Sequence, residues 1–296
     1  MPSALLFDQL SKTYREGWNR KPVEAVHNMS LKVNQGEAFG FIGPNGAGKS
    51  STIRILMGLS EPSSGTAEIF GKPIADPLSR RGLGYVPESP YLYDYLTPVE
   101  ILAMSIHLHQ VKVPDLVVHI DAWLEKLGLS AVANASIRSF SKGMVQRVAI
   151  AQALSIQPRL LVLDEPLSGL DPIGRMEVVG LLAEYKASGG TLFFTSHVLH
   201  DVERLADRFG LINDGVLRSV QSPAELTGDE DMVLIRSTGA DAVSGMTAEG
   251  SGRWCGTFAR SALWQQLDAL RQARHQIIEI RPTLSLESAF LKIVTQ

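Results

Sequence analysis

Short runs of apolar residues alternate along the chain with amphipathic segments, and this pattern predicts a β-sheet covered by helices. A run without polar interruptions is typical of a strand buried on both faces, whereas alternation of apolar and polar residues is typical of a strand with one face in solvent. Residues 4–8 and 25–33 predict an antiparallel pair at the start of the chain. Further short strands are predicted at residues 38–42, 66–70, 83–86, 158–163 and 191–195.

Helices are predicted between these strands from their start signals and from apolar residues at three- and four-residue spacing. Thr97, Pro98 and Glu100 combine a capping box with proline in the first turn, and the helix that they begin runs to residue 108. A second helix follows at about 115–127, so the pair predicts an all-helical insertion. Ser141 is the predicted N-cap of a later, long helix.

A polar, turn-rich stretch at residues 221–230 predicts a linker between two domains. The domain before it, residues 1–220, is predicted to be α/β, with an antiparallel β subdomain and a helical subdomain, and to end in a hairpin. The domain after it, residues 231–296, is predicted to be small and α+β. Its strands are expected at 232–236, 254–258 and 276–280, and its helices at 261–271 and 285–294.

Length, charge and cysteine content narrow the classes of protein. The chain has 296 residues, of which 45% are hydrophobic, and this length suggests two domains. Its formal net charge of −3 argues against general affinity for nucleic acid. No segment approaches the ~20 apolar residues that span a bilayer, and the first residues do not resemble a signal peptide, so a soluble, cytoplasmic protein is expected. The lone cysteine, Cys255, excludes an internal disulfide.

The strand at 38–42 leads into a glycine-rich loop that predicts a phosphate site. The loop matches the pattern G-x-x-x-x-G-K-[ST], and it stands between a predicted strand and a predicted helix, as this pattern requires. Its glycines allow consecutive N–H groups to point into one hollow, and the helix N-terminus adds partial positive charge. Lys49 is predicted to reach the β- and γ-phosphates, and Ser50 to hold Mg²⁺. The candidate nucleotide-binding residues are Gly43, Pro44, Asn45, Gly46, Ala47, Gly48, Lys49, Ser50 and Ser51.

Acidic and histidine side chains at the ends of other strands predict a hydrolytic centre beside this loop. Asp164 and Glu165 close a buried strand, and since neighbouring strand residues point to opposite faces, one suits Mg²⁺ and the other suits a water aligned with the γ-phosphate. His197 follows another buried strand, where an imidazole can bind a γ-phosphate oxygen or orient the nucleophile. Glu88 is a further candidate ligand of Mg²⁺ or the water, and is equally consistent with a solvated loop glutamate.

Two weaker signals complete the set of candidate residues. Ser141 and Gly143 stand at a helix start, where a hydroxyl and backbone N–H groups make a second anion-binding end. Taken alone, this is only a capped helix. Tyr14 ends the first predicted strand, and its ring suits stacking on an adenine, although an ordinary strand-end aromatic is the alternative interpretation.

The order of these motifs resembles that of the nucleotide-binding subunits of ATP-binding-cassette (ABC) transporters across residues 4–220. The glycine loop resembles the family's Walker A motif, and residues 160–165 resemble Walker B with its catalytic glutamate. His197 resembles the switch histidine, Tyr14 the adenine-stacking aromatic, and Glu88 takes the place of the Q-loop glutamine. The D-loop corresponds to Ser168, Gly169, Leu170 and Asp171. The signature motif corresponds to Ser141, Lys142, Gly143 and Met144, where lysine and methionine replace a glycine and a glutamine.

The resemblance implies an ATPase that uses ATP and Mg²⁺ and acts as a homodimer, with Glu165 and His197 as catalytic residues. Two copies would enclose two ATP molecules, each between the glycine loop of one copy and Ser141 and Gly143 of the other. The departures in the signature, the single cassette and the small second domain resemble bacterial exporter-type subunits, whose transmembrane permease is a separate polypeptide. Such a subunit is cytoplasmic and peripheral on the inner face of the membrane, without a nucleic-acid partner.

Three other interpretations use the same phosphate loop. A soluble ABC ATPase of DNA repair or chromosome structure would carry a long coiled coil or a DNA-binding domain, and the translation-factor branch generally carries two cassettes. A GTPase or kinase would leave the serine-glycine helix start unexplained, and the chain has no Asn-Lys-x-Asp guanine motif. A non-catalytic nucleotide-binding module is disfavoured because Glu165 and His197 are both present.

Overall fold

The computed structural model describes residues 2–15, 22–226 and 232–282, and the chain divides into two compact units, one ending at Gln221 and the other beginning at Ser222. The strands of the first unit are β1 (Ser3–Tyr14), β2 (Val23–Asn34), β3 (Ala38–Ile42), β4 (Ser64–Ile69), β5 (Lys72–Pro73), β6 (Leu83–Val86), β7 (Leu160–Leu163), β8 (Thr191–Ser196), β9 (Arg208–Asn213) and β10 (Val216–Gln221). Its helices are α1 (Lys49–Leu56), α2 (Pro98–Leu108), α3 (Leu116–Lys126), α4 (Lys142–Ser155), α5 (Pro172–Ala187) and α6 (Leu199–Leu205).

A six-stranded sheet of order β10-β9-β3-β8-β7-β6 forms the centre of the first unit. All neighbouring pairs are parallel except β10 and β9, which form the predicted hairpin. Every residue of β3, β7 and β8 is buried, as their continuous apolar runs predict. Because parallel strands end at the same edge of a sheet, the loops that follow β3, β7 and β8 lie close together.

A second, antiparallel sheet of order β2-β1-β4-β5 contains the predicted first pair of strands. Both β1 and β2 have 12 residues and extend beyond the predicted 4–8 and 25–33. The apolar alternation breaks within them because Gln9 and Asn28 have positive φ angles of 48° and 40°, and the β1–β2 register shifts between Phe7 and Leu10. A bulge of this kind adds a residue and reverses which positions face the core.

The helices of the first unit begin where their start signals predict. In the capping box of α2, the Glu100 N–H donates to Thr97 Oγ1 at 3.3 Å and the Thr97 N–H donates to Glu100 Oε2 at 2.8 Å. At α4, Ser141 Oγ accepts the N–H of Met144 at 3.3 Å. The helix after the glycine loop begins at Lys49, so that Lys49 and Ser50 belong to its first turn.

Aromatic rings fill the core beneath the central sheet, and Phe193 on β8 is at their centre. Its ring is fully buried and stacks on Phe39 with 6.0 Å between centroids, while Phe41 and Phe7 lie at 5.7 and 6.5 Å. We expect Phe193→Ala to lower the free energy of unfolding by about 3–5 kcal/mol, since it removes buried apolar surface and leaves a cavity. Urea denaturation measures this change. Leu59→Ala, at a side chain that is 69% exposed, is the control and is expected to change it by less than about 0.5 kcal/mol.

The second unit is a small α+β structure with its own core. Its sheet has the order β12-β13-β11-β14, all antiparallel, and its core contains Val233, Ile235, Val243 and Leu270. The elements are α7 (Pro223–Leu226), β11 (Met232–Thr238), β12 (Thr247–Gly250), β13 (Arg253–Ala259), α8 (Leu263–Gln272) and β14 (Gln276–Pro282). Strand β12 was not predicted, because all its residues are exposed and no apolar alternation marks it.

Two predictions fall partly or wholly outside the described residues. The helix predicted at 285–294 lies outside them, and so does much of the linker predicted at 221–230, whose described part contains the short helix α7. No helix in the described ranges has the length and apolar character that a membrane span requires.

Candidate functional site

Of the residues predicted at the strand ends, Glu88, Glu165 and His197 line one cleft at the carboxyl edge of the central sheet, and Asp164 is not among its lining residues. The cleft has a volume of about 380 Å³. Glu165 follows β7, His197 follows β8 and Glu88 follows β6, so three strands besides β3 contribute to it. Its remaining lining residues are Pro44, Asn45, Gly46, Ala47, Gly48, Lys49, Ser50 and Ser51. The structure therefore brings the glycine loop, Glu88, Glu165 and His197 together.

The glycine loop has a backbone that side chains at two positions would not permit. Gly48 has φ of 107°, and a Cβ there would lie 2.2 Å from the carbonyl oxygen of Ala25. A Cβ on Gly43 would lie 2.2 Å from the carbonyl oxygen of Ile212. Gly48 is also the N-cap of α1 and makes no side-chain cap hydrogen bond, so the first N–H groups of the helix have no side-chain partner at their cap and suit an anion.

Lys49 is held by the loop that it belongs to. Its ammonium group donates to the carbonyl oxygens of Gly43 at 2.6 Å and Pro44 at 3.2 Å, and it lies 3.6 Å from Glu165 Oε1. The residue is only 6% exposed, so this charge sits in the floor of the cleft with little solvent around it. A buried cation there attracts the negative charge of a phosphate chain strongly.

Glu165 lies between Lys49 and His197. Its Oε2 is 2.7 Å from His197 Nδ1, and since an ionised carboxylate only accepts hydrogen bonds, Nδ1 carries the hydrogen. Its Oε1 is buried and has no hydrogen-bond partner among the described residues. Glu165 has φ of 49°, a conformation uncommon outside glycine that typically persists at functional sites. The lone pairs of Oε1 are therefore not used by any hydrogen bond within the described residues, and the neighbouring cation is Lys49.

Thr195 is a residue of the site that the sequence interpretation missed. It is fully buried on β8, and its hydroxyl donates to Asp164 Oδ1 at 2.7 Å and accepts the N–H of Glu165 at 2.8 Å. The sequence did hold a signal for it: Thr195 is two positions before His197, and side chains two apart on a strand share a face. Asp164 itself is 5% exposed and is thus a buried carboxylate held by a hydrogen bond.

The donor atoms near the loop fit Mg²⁺ in their chemistry. Ser50, Asp164 and Glu88 offer hydroxyl and carboxylate oxygens, which are the hard ligands that this ion prefers. The described residues contain no group of three or more histidine, cysteine and acidic side chains that could hold a metal ion by themselves. This is the expected situation for Mg²⁺ at a nucleotide, where one or two carboxylates act with phosphate oxygens and waters.

Ser141 and Gly143 do not line this cleft. They stand at the start of α4, beside the turn at residues 168–171. A Cβ on Gly143 would be 3.4 Å from the carbonyl oxygen of Gly169, and the side-chain carbons of Lys142 lie against Gly169. Asp171 ends the turn as the N-cap of α5, where its carboxylate accepts the N–H of Gly174 at 3.2 Å. Within one chain, the second anion-binding helix end therefore lies apart from the residues that line the cleft.

Tyr14 is the last residue of β1, which extends beyond the predicted 4–8, and it is not among the residues that line the cleft. Lys12 Nζ lies 5.0 Å from the centroid of its ring, and its hydroxyl is buried with no hydrogen-bond partner in the described ranges. Its contact with an adenine stays a prediction.

Burial raises the pKa of two groups near the site, and neighbouring charges add to or oppose the effect. Burial and the negative charge of Asp164 raise the pKa of the Tyr85 phenol to about 12, with Arg54 opposing the change. Burial also raises the pKa of the Asp201 carboxyl, against the opposing charge of Arg175. The Tyr85 phenol is therefore neutral at physiological pH.

A larger cleft, of about 570 Å³, lies at the amino ends of β7 and β8. Trp123, Arg159 and Tyr185 are among its lining residues, and none of the predicted site residues is. Because the glycine loop and Glu165 are at the opposite ends of the strands, this cleft takes no part in the chemistry at the glycine loop.

The comparisons with known proteins all point to one family. A family model described as "ABC transporter" matches residues 26–168. An uncharacterized ABC transporter ATP-binding protein of Nostoc sp. (strain PCC 7120) is 39% identical over 267 residues, which cover 87% of this chain and 79% of the relative. The bacitracin transport ATP-binding protein BcrA of Bacillus licheniformis is 40% identical over 197 residues, which cover 66% of this chain and 63% of the relative.

Two solved structures have a similar fold. One is the ATP-binding subunit of an ABC transporter, with a TM-score of 0.68 and 30% identity over 76% of this chain and 92% of that one. The other is a dimeric ATP-binding cassette in a post-hydrolysis state bound to ADP and phosphate, with a TM-score of 0.68 and 24% identity over 74% of this chain and 98% of that one. At that identity, the second likeness concerns the fold alone.

Proposed function

This chain belongs to the ATP-binding proteins of ABC transporters, a family of ATPases, and we propose that its cleft hydrolyses ATP to drive a separate membrane-spanning subunit. The family membership confirms the resemblance found in the motifs. The observation that carries the proposal is the position of Glu165, whose Oε1 is buried without a hydrogen-bond partner in the described part of the chain, 3.6 Å from Lys49 and across from His197.

Hydrolysis uses these residues in distinct roles. Lys49 and the N–H groups of the glycine loop bind the phosphates and stabilise negative charge that develops during transfer. Glu165 accepts a proton from the attacking water through Oε1. His197 donates through Nδ1 to Oε2, which fixes the carboxylate and leaves its other ring nitrogen for a γ-phosphate oxygen or the water.

Ser50 and Asp164 would hold Mg²⁺ at this site, and Glu88 is a further candidate ligand. Charge neutralisation at the β- and γ-phosphate oxygens is the chemistry that Mg²⁺ supplies when it is bound. Glu88, being a carboxylate where the family has an amide, adds a negative charge to this set.

The active protein is a homodimer with two composite sites. Ser141, Lys142, Gly143 and Met144 of one copy face the γ-phosphate bound to the other, and the turn at residues 168–171 lies at the contact. The helix start at Ser141 has the hydroxyl and N–H donors that an anion needs, and it does not line the cleft at the glycine loop of its own chain. A cassette of similar fold is described as a dimer, which agrees with the proposal that two copies associate.

Export is the proposed direction of transport. The name of a further relative, the Nod factor export ATP-binding protein I of Cupriavidus metallidurans, supports it, as does the small second unit, which we assign as an accessory domain in addition to a nucleotide-binding domain of residues 1–220. The protein is then cytoplasmic and is held at the inner face of the membrane by its permease, without a nucleic-acid partner. In the bound state, Tyr14 stacks on the adenine.

Replacement of Lys49 tests the nucleotide site. We expect Lys49→Met to weaken ATP binding at least about tenfold, because the phosphates lose a charge-assisted hydrogen bond in a poorly solvated cleft. Equilibrium dialysis with ATP measures the affinity, and competition with GTP measures the base preference.

Lys186→Met is the matched control, since Lys186 pairs with Asp207 and does not line the cleft. Equal affinity of the Lys49 variant and the wild type for ATP would contradict the assignment of the loop. A preference for GTP over ATP would contradict the proposal that this chain hydrolyses ATP.

A further inference from the structure

Thr195 makes two hydrogen bonds that join the ends of β7 and β8 at the site. Its hydroxyl lies 2.7 Å from Asp164 Oδ1 and 2.8 Å from the backbone nitrogen of Glu165, and the residue is fully buried. The rest of β8 up to this point is apolar apart from Thr191 at its first residue. A hydroxyl in the middle of such a core needs both partners to offset its burial.

The backbone of Glu165 explains why a hydroxyl is required here. The ladder between β7 and β8 ends at the pair Leu163 and Phe194, and the Asp164 N–H donates to Val86 on the other neighbouring strand. Glu165 then turns to φ of 49° and leaves the sheet geometry. Its buried N–H therefore has no strand carbonyl to continue the ladder, and the Thr195 oxygen takes that place.

The direction of the two hydrogen bonds follows from the chemistry of the partners. An ionised Asp164 only accepts, and a backbone N–H only donates. The single hydrogen of the Thr195 hydroxyl must therefore point at Asp164 Oδ1, while its lone pair accepts from Glu165. Valine has the same shape and supplies neither interaction, so it would leave a buried N–H and a buried carboxylate oxygen unpaired.

We propose that Thr195 is a positioning residue for ATP hydrolysis, which orients the Asp164 carboxylate toward Mg²⁺ and fixes the backbone that presents Glu165 to the water. Together with His197, two residues further along, it holds the two acidic residues at three points: one oxygen of Asp164, and the N–H and Oε2 of Glu165. With Oδ1 engaged by Thr195, Asp164 offers its other oxygen to the ion. This inference rests on the proposed function and adds a residue to its site.

Three variants separate positioning from general stability. Thr195→Val removes the hydroxyl, Thr195→Ser keeps it, and Thr191→Val removes the hydroxyl at the other end of the same strand. Thr191 is the matched control because it is 2% exposed and its Oγ1 accepts the N–H of Gly36 at 2.9 Å, so its loss also leaves a partly buried N–H unpaired. Steady-state hydrolysis and equilibrium binding of ATP, each with Mg²⁺ and with EDTA, are measured for all of them.

We expect Thr195→Val to lower kcat by roughly 10- to 100-fold, the usual effect of losing a group that orients a metal ligand. ATP binding in EDTA should stay at the wild-type level, because the loop and Lys49 hold the phosphates, while the tightening of binding by Mg²⁺ should shrink. Thr195→Ser should restore most of the turnover and the Mg²⁺ effect. Thr191→Val should lose stability but keep wild-type kcat.

Several results would overturn the inference: wild-type kcat and Mg²⁺ effect in Thr195→Val, equal impairment in Thr195→Ser, or an equal fall of kcat in Thr191→Val. If Thr195→Val does not fold, Thr195→Ala, which removes the hydroxyl and adds no bulk, takes its place in the same comparison. Failure of the proposed function looks different, since the wild type itself would then not hydrolyse ATP. The Mg²⁺ effect on ATP binding would still decide the role of Thr195 in that case.

Discussion

Replacement of Glu165 with glutamine is expected to reduce ATP turnover by roughly 10²- to 10⁴-fold, because glutamine has the same shape and cannot take up a proton from the attacking water. ATP binding should remain, since Lys49 and the loop amides are untouched. The variant should therefore retain ATP where the wild type releases ADP. Steady-state phosphate release measures the first effect, and the nucleotide recovered from the purified protein measures the second.

The control for this prediction is Glu184→Gln, which removes a carboxylate from an exposed side chain on α5 that pairs only with Lys126 in the described structure. It should leave turnover at the wild-type level. Unchanged steady-state hydrolysis in Glu165→Gln would contradict the assignment of Glu165 as the general base. Loss of ATP binding in that variant would instead mean that Glu165 belongs to the binding site.

The glycine loop and the polar strand ends could be located from the sequence because each is a local pattern. The loop has fixed spacing, and its glycines are required by the short approach to Ala25 and Ile212. Asp164, Glu165 and His197 close apolar runs, and parallel strands bring their ends to one edge. The family and the fold class followed from this order of motifs.

Contacts between strands distant in sequence could not be predicted in the same way. Thr195 and Asp164 are 31 residues apart, and only the β7–β8 register places the hydroxyl at the carboxylate. The positive φ of Glu165 also has no signal in its residue type, because glutamate rarely adopts that conformation. The full length of β1 was not predicted either, because the bulge at Gln9 breaks the apolar alternation on which the prediction of a strand depends.

Replacement of Ser141 tests the proposal that one copy alone does not complete the site. Aspartate caps a helix as well as serine does, so Ser141→Asp should preserve α4. Its negative charge would face the γ-phosphate bound by the other copy and repel it, so we expect hydrolysis to fall by about two orders of magnitude or more. ATP binding at the cleft of the same copy should be nearly unchanged.

Mixed dimers test the composite arrangement directly. In a dimer of one Lys49→Met copy and one Ser141→Asp copy, both changes affect the same composite site, and the other site is intact. Two inactive variants should therefore regain up to about one quarter of wild-type activity when they are co-expressed in equal amounts, because half of the dimers are mixed and each has one active site. Lys49→Met with Glu165→Gln is the matched control: these changes fall in different composite sites, so neither site is intact and no recovery is expected. Recovery in both mixtures, or in neither, would contradict a site shared between two copies, whereas recovery in the first alone requires that Ser141 act on the phosphate bound by its partner.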